Sequence, residues 1–396
     1  MPTVNEVQTY AIVNDLHAQL TGSAVIGGVN ATNFVQVFQK LLTYGTEKVF
    51  NALAVQVTGR LYSSRPYDAK FKVLFESWQQ FGGIRDKVTY MDDNAVEDVA
   101  YTQALTNGQS VDMYVVHKPK ILNTRVSGYN VYEDFYTRHE DQLKIAFRSW
   151  NDFAEFWAAF LTEHENKRKQ WQEEQARLLV TNYIAALVDD ENNHPERVVH
   201  LITEYNTQTG ESLTYSDIFA PTHCEHFWRW VYGRYNVVLE KMGERTALYH
   251  SQAGQGNTGT ILRHTPKSDM KSIITSEYMQ FVKNNVLSVT FNPANLDMGN
   301  FEAITTWQNP LDPTKIIVTP TYLDSTTGEQ KNGTQQTVNH IFGIAFDRYA
   351  MAISIKSEGV DVTPKNARGR YWNIWEHTAK AYSADFTENA VVFVLD

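Results

Sequence analysis

The sequence predicts an α+β fold, and three observations carry that prediction. From about Ser149 to Leu187 there is neither Gly nor Pro, and Ala, Glu, Gln, Lys, Arg, Leu and Trp dominate. Strand-like composition is concentrated elsewhere, in residues 84–130 and again from Ile341 onward. The chain has 396 residues with 42% hydrophobic content, enough to bury a sizeable core arranged as two or three subdomains.

The elements follow in order. Residues 1–30 lack a clear period and contain Gly22, Gly27 and Gly28, which predicts an extended or mobile arm. Residues 31–83 read as helical. One helix starts near Asn33, with Phe34, Val37, Phe38, Leu41 and Leu42 on one stripe, and a second follows Thr46 with Val49, Phe50 and Leu53. A third has Ser64 as cap, Pro66 in the first turn, a stripe of Phe71, Leu74, Phe75 and Trp78, and a stop at Gly82-Gly83.

Residues 84–130 predict a long β-hairpin. Lys87-Val88-Thr89-Tyr90 and Met113-Tyr114-Val115-Val116 have strand composition, with polar, turn-rich sequence between them. This excursion has little apolar material for a core of its own, so it needs a covering surface. The run 149–187 then reads as one helix; about 38 residues would make a rod of roughly 57 Å, longer than a small domain is wide. Its centre, His164-Glu165-Asn166-Lys167-Arg168-Lys169, reads as a solvated face with i,i+4 pairs.

Val198–Tyr205 reads as a strand. Thr222 and Glu225 then form a capping box for a helix running through Phe227, Trp230, Val231, Val238 and Leu239 to Gly243. Residues 250–340 mix short strands, loops and a helix near Ser276–Asn284, and Tyr349–Ile355 and Ala390–Leu395 read as core strands. Tyr371-Trp372-Asn373-Ile374-Trp375 places aromatics on both faces of a short segment, as buried strands and subunit interfaces do.

Composition excludes several function classes. A net charge of −10 argues against wrapping nucleic acid. No apolar run approaches the ~20 residues that span a bilayer. The single cysteine, Cys224, rules out an intrachain disulfide and suits a reducing cytoplasm. Met1–Tyr10 lacks a basic-then-apolar leader pattern.

The search for chemistry finds formal matches only. Gly254-Gln255-Gly256-Asn257-Thr258-Gly259 satisfies G-x-G-x-x-G, but no helix follows to hold a phosphate and Pro266 comes soon after. His223, Cys224 and His226 lack the further ligands that zinc requires. His164-Glu165 fails the H-E-x-x-H pattern because position 168 is Arg. Acidic pairs such as Asp92-Asp93 and Asp189-Asp190 read as turn or cap residues. No catalytic residue, cofactor or metal is expected.

The order of these features, from about residue 35 onward, resembles the major capsid proteins of small short-tailed bacteriophages, which use the Hong Kong 97-type capsid fold. Four segments carry the likeness: Phe81-Gly82-Gly83-Ile84-Arg85-Asp86-Lys87-Val88, Leu143-Lys144-Ile145-Ala146-Phe147-Arg148-Ser149-Trp150, Phe346-Asp347-Arg348-Tyr349-Ala350, and Arg370-Tyr371-Trp372-Asn373 through Val391-Val392-Phe393. The resemblance implies an N-terminal arm (1–30), an E-loop (84–130) and a P-domain (131–215) with a spine helix at 149–187. An A-domain (216–340) and a return to the P-domain sheet (341–396) complete the layout.

It further implies self-assembly into hexamers and pentamers of an icosahedral shell around phage DNA. Scaffolding and portal proteins would be partners, contact with double-stranded DNA would be loose and non-specific, and no membrane would be involved. The virion would be its location, after synthesis in the host bacterial cytoplasm. No proteolysed N-terminal scaffold-like segment and no lysine crosslinking are expected. Arg85, Lys87, Glu97, Asp98, Arg125 and Trp372 are the expected subunit contacts. The competing readings are another virion protein such as a tail or collar component, a cellular shell protein of the same fold, and a carbohydrate-active hydrolase with two facing acids ~5–10 Å apart.

Overall fold

The structure, a computed structural model, describes residues 13–14, 17–18, 36–37, 69–77, 84–90, 107–110, 112–114, 116, 121–127, 129–139, 150–252, 260–287, 301–324 and 329–396. Residues 13–14 and 17–18 are helical rather than extended, and residues 36–37 lie in helix as expected. The rest of the first two predicted helices lies outside the described residues.

The third predicted helix is corrected where it is described. Residues Lys72–Leu74 form a single 3-10 turn and Phe75–Ser77 a strand, β1. Phe71 sits in the left-handed region at φ 63°, which no helix tolerates. Its amide donates to Glu302 Oε1 at 2.6 Å, so that carboxylate takes a bond a helix would have used. Phe71 and Leu74 are buried as the stripe implied, but against a sheet.

Strands β2 (Ile84–Tyr90) and β3 (Ile121–Ser127) form an antiparallel ribbon from Ile84 opposite Ser127 to Tyr90 opposite Ile121. Asp112–Tyr114 lies in a turn region rather than a strand, with the Tyr114 amide bonded to Asp112 Oδ1 at 2.9 Å. Strand β4 (Asn130–His139) follows, and then helix α1, 40 residues from Trp150 to Asp189 and roughly 60 Å long.

Strand β5 (Val198–His200) is short, because the chain turns directly into helix α2 (Leu201–Thr209). That corrects the strand expected to Tyr205: Leu201, Ile202 and Tyr205 are buried at helical spacing, and Gly210 ends the helix in the left-handed region. Helix α3 spans Cys224–Met242. Its expected capping box does not form. The amides of His223 and Cys224 are instead taken by the Ala220 carbonyl (3.0 and 2.9 Å), and Glu225 pairs with Arg229.

The remaining elements are β6 (Met270–Thr275), α4 (Ser276–Leu287), β7 (Phe301–Ile304), β8 (Ile316–Val318), β9 (Thr321–Leu323), β10 (Gln330–Asn332) and β11 (Gln336–Val338). Strands β12 (Ile341–Asp347), β13 (Met351–Val362), β14 (Tyr371–Ala384) and β15 (Ala390–Val394) close the chain.

Two sheets organise the body. One has the order β5-β15-β12-β6-β7, with β12 and β15 buried along their whole lengths. Alternate residues serve two cores. Val392, Val394, Ile344 and Phe346 pack toward α1, while Val391, Phe393, Phe342 and Ala345 pack toward α2, α3 and α4. Trp228 centres the second core, against Phe219, Tyr278, Phe281 and Phe342. The other sheet has the order β1-β13-β14-β4, and α1 crosses both.

Trp228→Ala should therefore cost about 3–5 kcal/mol, as large aromatic truncations in a core do. Urea unfolding of the unassembled subunit measures it.

Candidate functional site at the root of the hairpin

A ribbon with no core must be held at its root, and here charge holds it. Lys87 lies on β2, and its Nζ reaches Asp385 Oδ2 at 2.7 Å and Thr387 Oγ1 at 3.0 Å, with a still closer ion pair to Glu388. Two residues along the strand, Thr89 Oγ1 accepts from Arg263 at 2.8 Å. Arg263 also donates from Nε to the Thr387 carbonyl at 3.1 Å and lies 3.6 Å from Glu388. Two cations and two carboxylates thus bind the ribbon to the turn between β14 and β15.

That turn is itself fixed. Asp385 Oδ1 accepts from the amide (2.9 Å) and hydroxyl (2.6 Å) of Thr387, a local side-chain-to-backbone turn. Phe386 stacks flat on Tyr183 of α1 at 4.4 Å, and Tyr183 donates its hydroxyl to the Asp385 carbonyl at 3.2 Å. The hairpin is therefore coupled through one turn to the long helix. A cleft of about 700 Å³ opens beside the root, bordered by Lys87, Val88, Arg245, Arg263, Asp269 and Glu388.

The two carboxylates respond differently. Burial works to raise the Asp385 carboxyl, but Lys87 and the Thr387 hydrogen bonds outweigh it and hold it below its ordinary value of 3.8. For Glu388 burial prevails, and the attraction of Lys87 and Arg263 only partly offsets the rise. A depressed carboxyl gives stability that is present above its unfolded value and lost as pH falls through its folded one. The stability gap between wild type and Asp385→Asn should accordingly stay constant at neutral pH and shrink below pH 3.8, measured by urea unfolding across pH.

Part of the connection between β2 and β3 is apolar and exposed. Met113, Tyr114 and Val116 are 77%, 83% and 78% exposed. The outer face of β4 and β14 is also apolar in part. Val131 and Phe135 are exposed, and the Phe135 ring lies 5.3 Å from that of Trp375.

The expected contact residues divide. Lys87 is engaged within its own chain, as a root residue of the hairpin. Trp372 is 0% exposed, packed with Ile374, Tyr136, Val360 and Val362, so within its own chain its side chain supports the sheet from inside. Arg125 is exposed on β3, its backbone opposite Asp86. The Arg85 backbone belongs to β2, while its side chain, and Glu97 and Asp98 entirely, lie outside what is described. Asp385, Thr387, Glu388 and Arg263 were not singled out by the sequence. The one signal was a pair of acids three apart between two apolar runs.

The charged centre of the long helix is also corrected in part. The expected i,i+4 pair forms between Glu165 and Lys169 at 3.5 Å, and Asn166 and Lys167 are exposed, but the other side of this stretch is a buried layer between α1 and the four-stranded sheet. His164 and Glu165 are buried, His164 Nε2 lies 2.6 Å from Glu376 Oε1, and Arg168 forms a close ion pair with Glu358. Lys167, 2.6 Å from Asp134, stays on the rim.

Asp385 and Glu388 share one lysine, Asp269 lies 3.5 Å from Arg348, and Asp347 Oδ1 accepts the Tyr349 amide at 2.9 Å. Among the described residues no His, Cys, Asp and Glu group is arranged to hold a metal ion, and no helix is long and apolar enough to cross a membrane. The Gly254–Gly259 loop lies outside the described residues.

This mixed helix-and-sheet architecture matches solved phage capsid structures. A chain from the capsid structure of Staphylococcus phage Andhra superposes with a TM-score of 0.54 at 11% identity, covering 84% of this chain and 86% of that one. A chain from the structure of the head fiber and inner core protein gp22 of native bacteriophage P68 gives a TM-score of 0.54 at 12% identity, with the same coverage of 84% and 86%. A search of curated proteins found no significant sequence match. Residues 9–394 match the family described as Phi29-like phage major capsid protein, and the chain belongs to that family. It is a structural protein of the virion that forms the capsid shell.

Proposed function

We propose that this chain closes an icosahedral shell as hexamers and pentamers, in the Hong Kong 97-type layout. In this reading residues 84–130 are the E-loop and α1 is the spine helix of a P-domain spanning 131–215. Residues 216–340 form the A-domain, 341–396 return to the P-domain, and residues 1–30 act as an arm. Ring-closing heterologous contacts between identical subunits build each capsomer. Scaffolding and portal proteins complete the assembly in the host bacterial cytoplasm. The acidic chain, at −10, touches packaged DNA only loosely.

The observation that carries the reading is the contrast along the hairpin: its root is locked by four charged groups, while Met113, Tyr114 and Val116 are exposed in the connection between β2 and β3. A rooted arm with exposed apolar residues is built to cover another surface. The surface we assign is the outer sheet face around Val131, Phe135 and Trp375 of a neighbouring copy.

A photoreactive amino acid at position 114 tests this. In assembled particles it should crosslink to peptides containing Val131–Phe135 or Trp375, and particles mixed from isotopically light and heavy subunits should yield mixed-label crosslinks. Crosslinks confined to single-label peptides would overturn the assignment.

A further inference from the structure

The layer between α1 and the four-stranded sheet holds a lysine that the shell reading does not use. Lys380 is on β14, paired with Ile355 of β13 on one side and Asn130 of β4 on the other. It is 1% exposed. Its Nζ has no hydrogen-bond partner among the described residues and sits 4.0 Å from the centre of the Trp171 ring on α1. Tyr132 of β4 closes the site, edge-on to Trp171 at 4.7 Å, and Tyr382 lies 6.4 Å from Tyr132.

The charged groups of this layer come from every element packed there, and Arg168 is the one that acts on the amine. Helix α1 brings His164, Glu165 and Arg168; β14 brings Glu376; β13 brings Glu358; β4 brings Asp134. The carboxylates are already engaged: Glu376 with His164, Glu358 with Arg168, Glu165 with Lys169, Asp134 with Lys167. Arg168 is the cation that acts on Lys380, and it repels a second positive charge. A cavity of about 180 Å³ opens beside the layer, bordered by Tyr132, Asp134, Arg168, Trp171 and Glu376.

We propose that Lys380 makes the seat of α1 on the sheet proton-sensitive: the neutral amine packs against Trp171 and seats the helix, and the charged amine loosens it. A buried ammonium beside an arginine, with no hydrogen-bond partner among the described residues, is poorly solvated, and the attraction of the Trp171 ring face offsets only part of that cost. Its acidity agrees, since burial first and Arg168 second bring the amine down from 10.5 to about 7. The inference concerns the folded subunit and holds whether or not the capsomer layout above is right.

The sign follows from linkage. Between about 7 and 10.5 the unfolded chain holds a proton that the folded chain has released. The folding constant attributable to Lys380 therefore rises with pH across that window, approaching tenfold per pH unit. Below about 7 both states are charged and the penalty is constant.

Urea unfolding of the unassembled subunit, wild type against Lys380→Met, reads this directly. The methionine variant should be more stable at pH 7, and its advantage should shrink as pH rises and vanish near 10.5. A difference independent of pH, or a wild type more stable at pH 7, would overturn the proposal. Hydrogen exchange of the wild type alone provides a test that needs no folded variant. After correction for intrinsic rates, amides around Arg168–Gln175 should gain protection from pH 6.5 to 9, and unchanged protection would contradict the proposal. Lys380→Arg, charged throughout, should show low protection at every pH, and protection matching that of the wild type at pH 9 would count against it.

Discussion

Replacement of Lys87 by methionine should leave a folded subunit that no longer closes shells. Lys87 is the cation shared by Asp385 and Glu388, and removing it leaves two buried carboxylates with Arg263 as the remaining cation near them. Breaking a fully buried pair costs about 3–5 kcal/mol, and the partial exposure of Lys87 lowers that to about 1–3 kcal/mol. Among the described residues none of the β2–β3 ribbon belongs to the two cores, so the loss falls on the hairpin and spares the body. Hydrogen exchange should rise in residues 84–90 and 121–127 and stay unchanged in β12 and β15.

Assembly amplifies the defect. Each subunit must present its arm in one orientation, and about 1.4 kcal/mol per arm is already a tenfold loss of the competent form. Electron microscopy and sedimentation should find subunits or open fragments where the wild type gives shells. Lys87→Arg, which keeps the charge, should retain part of the activity. Shells from Lys87→Met in normal yield would remove the root from the account.

The second large effect is on folding itself. Gly343 lies in β12, between β15 and β6 at the centre of the five-stranded sheet. A Cβ there would stand 2.7 Å from the Ile273 carbonyl oxygen and 3.2 Å from the Ile274 Cα, both backbone atoms that cannot swing away. Overpacking of this kind costs about 1–3 kcal/mol for a methyl group and more for a branched side chain. Gly343→Ala should lower the urea midpoint of the subunit. Gly343→Val should leave little soluble protein, and a soluble, normally cooperative Val variant would show that the strands have room to part.

How far the sequence reveals this molecule depends on the range of the interaction. Helix α1 is legible because its signal is local: no Gly or Pro interrupts it. Strand β15 is legible as a continuous apolar run, since both of its faces are buried, and β13 carries the strand expected over Tyr349–Ile355, although Tyr349 and Ala350 lie in the turn before it. Phe71–Ser77 misleads because a stripe of Phe and Leu fits a helix or a sheet edge equally well. The deciding partner, the Glu302 carboxylate, is 231 positions away. Lys87 faces the same problem: Asp385 lies 298 positions along the chain, so the sequence shows a charge but not whether it faces a neighbour or its own body.

The buried centre of α1 is hidden for a related reason. Arg168 and His164 look solvated beside their helix neighbours, and only the pairing of β13 with β14 brings Glu358 and Glu376 beneath them. Trp372 reads as an interface aromatic because its segment has rings on both faces, and strand register alone decides that it points inward.

The most direct test of the central claim is cryo-electron microscopy of the purified full-length chain, with sedimentation velocity on the same sample. The account predicts closed shells of five- and six-membered rings, each with the β2–β3 ribbon of one subunit lying over the β4–β14 face of the next. A stable monomer under all assembly conditions, or rings whose ribbons contact no neighbour, would contradict it.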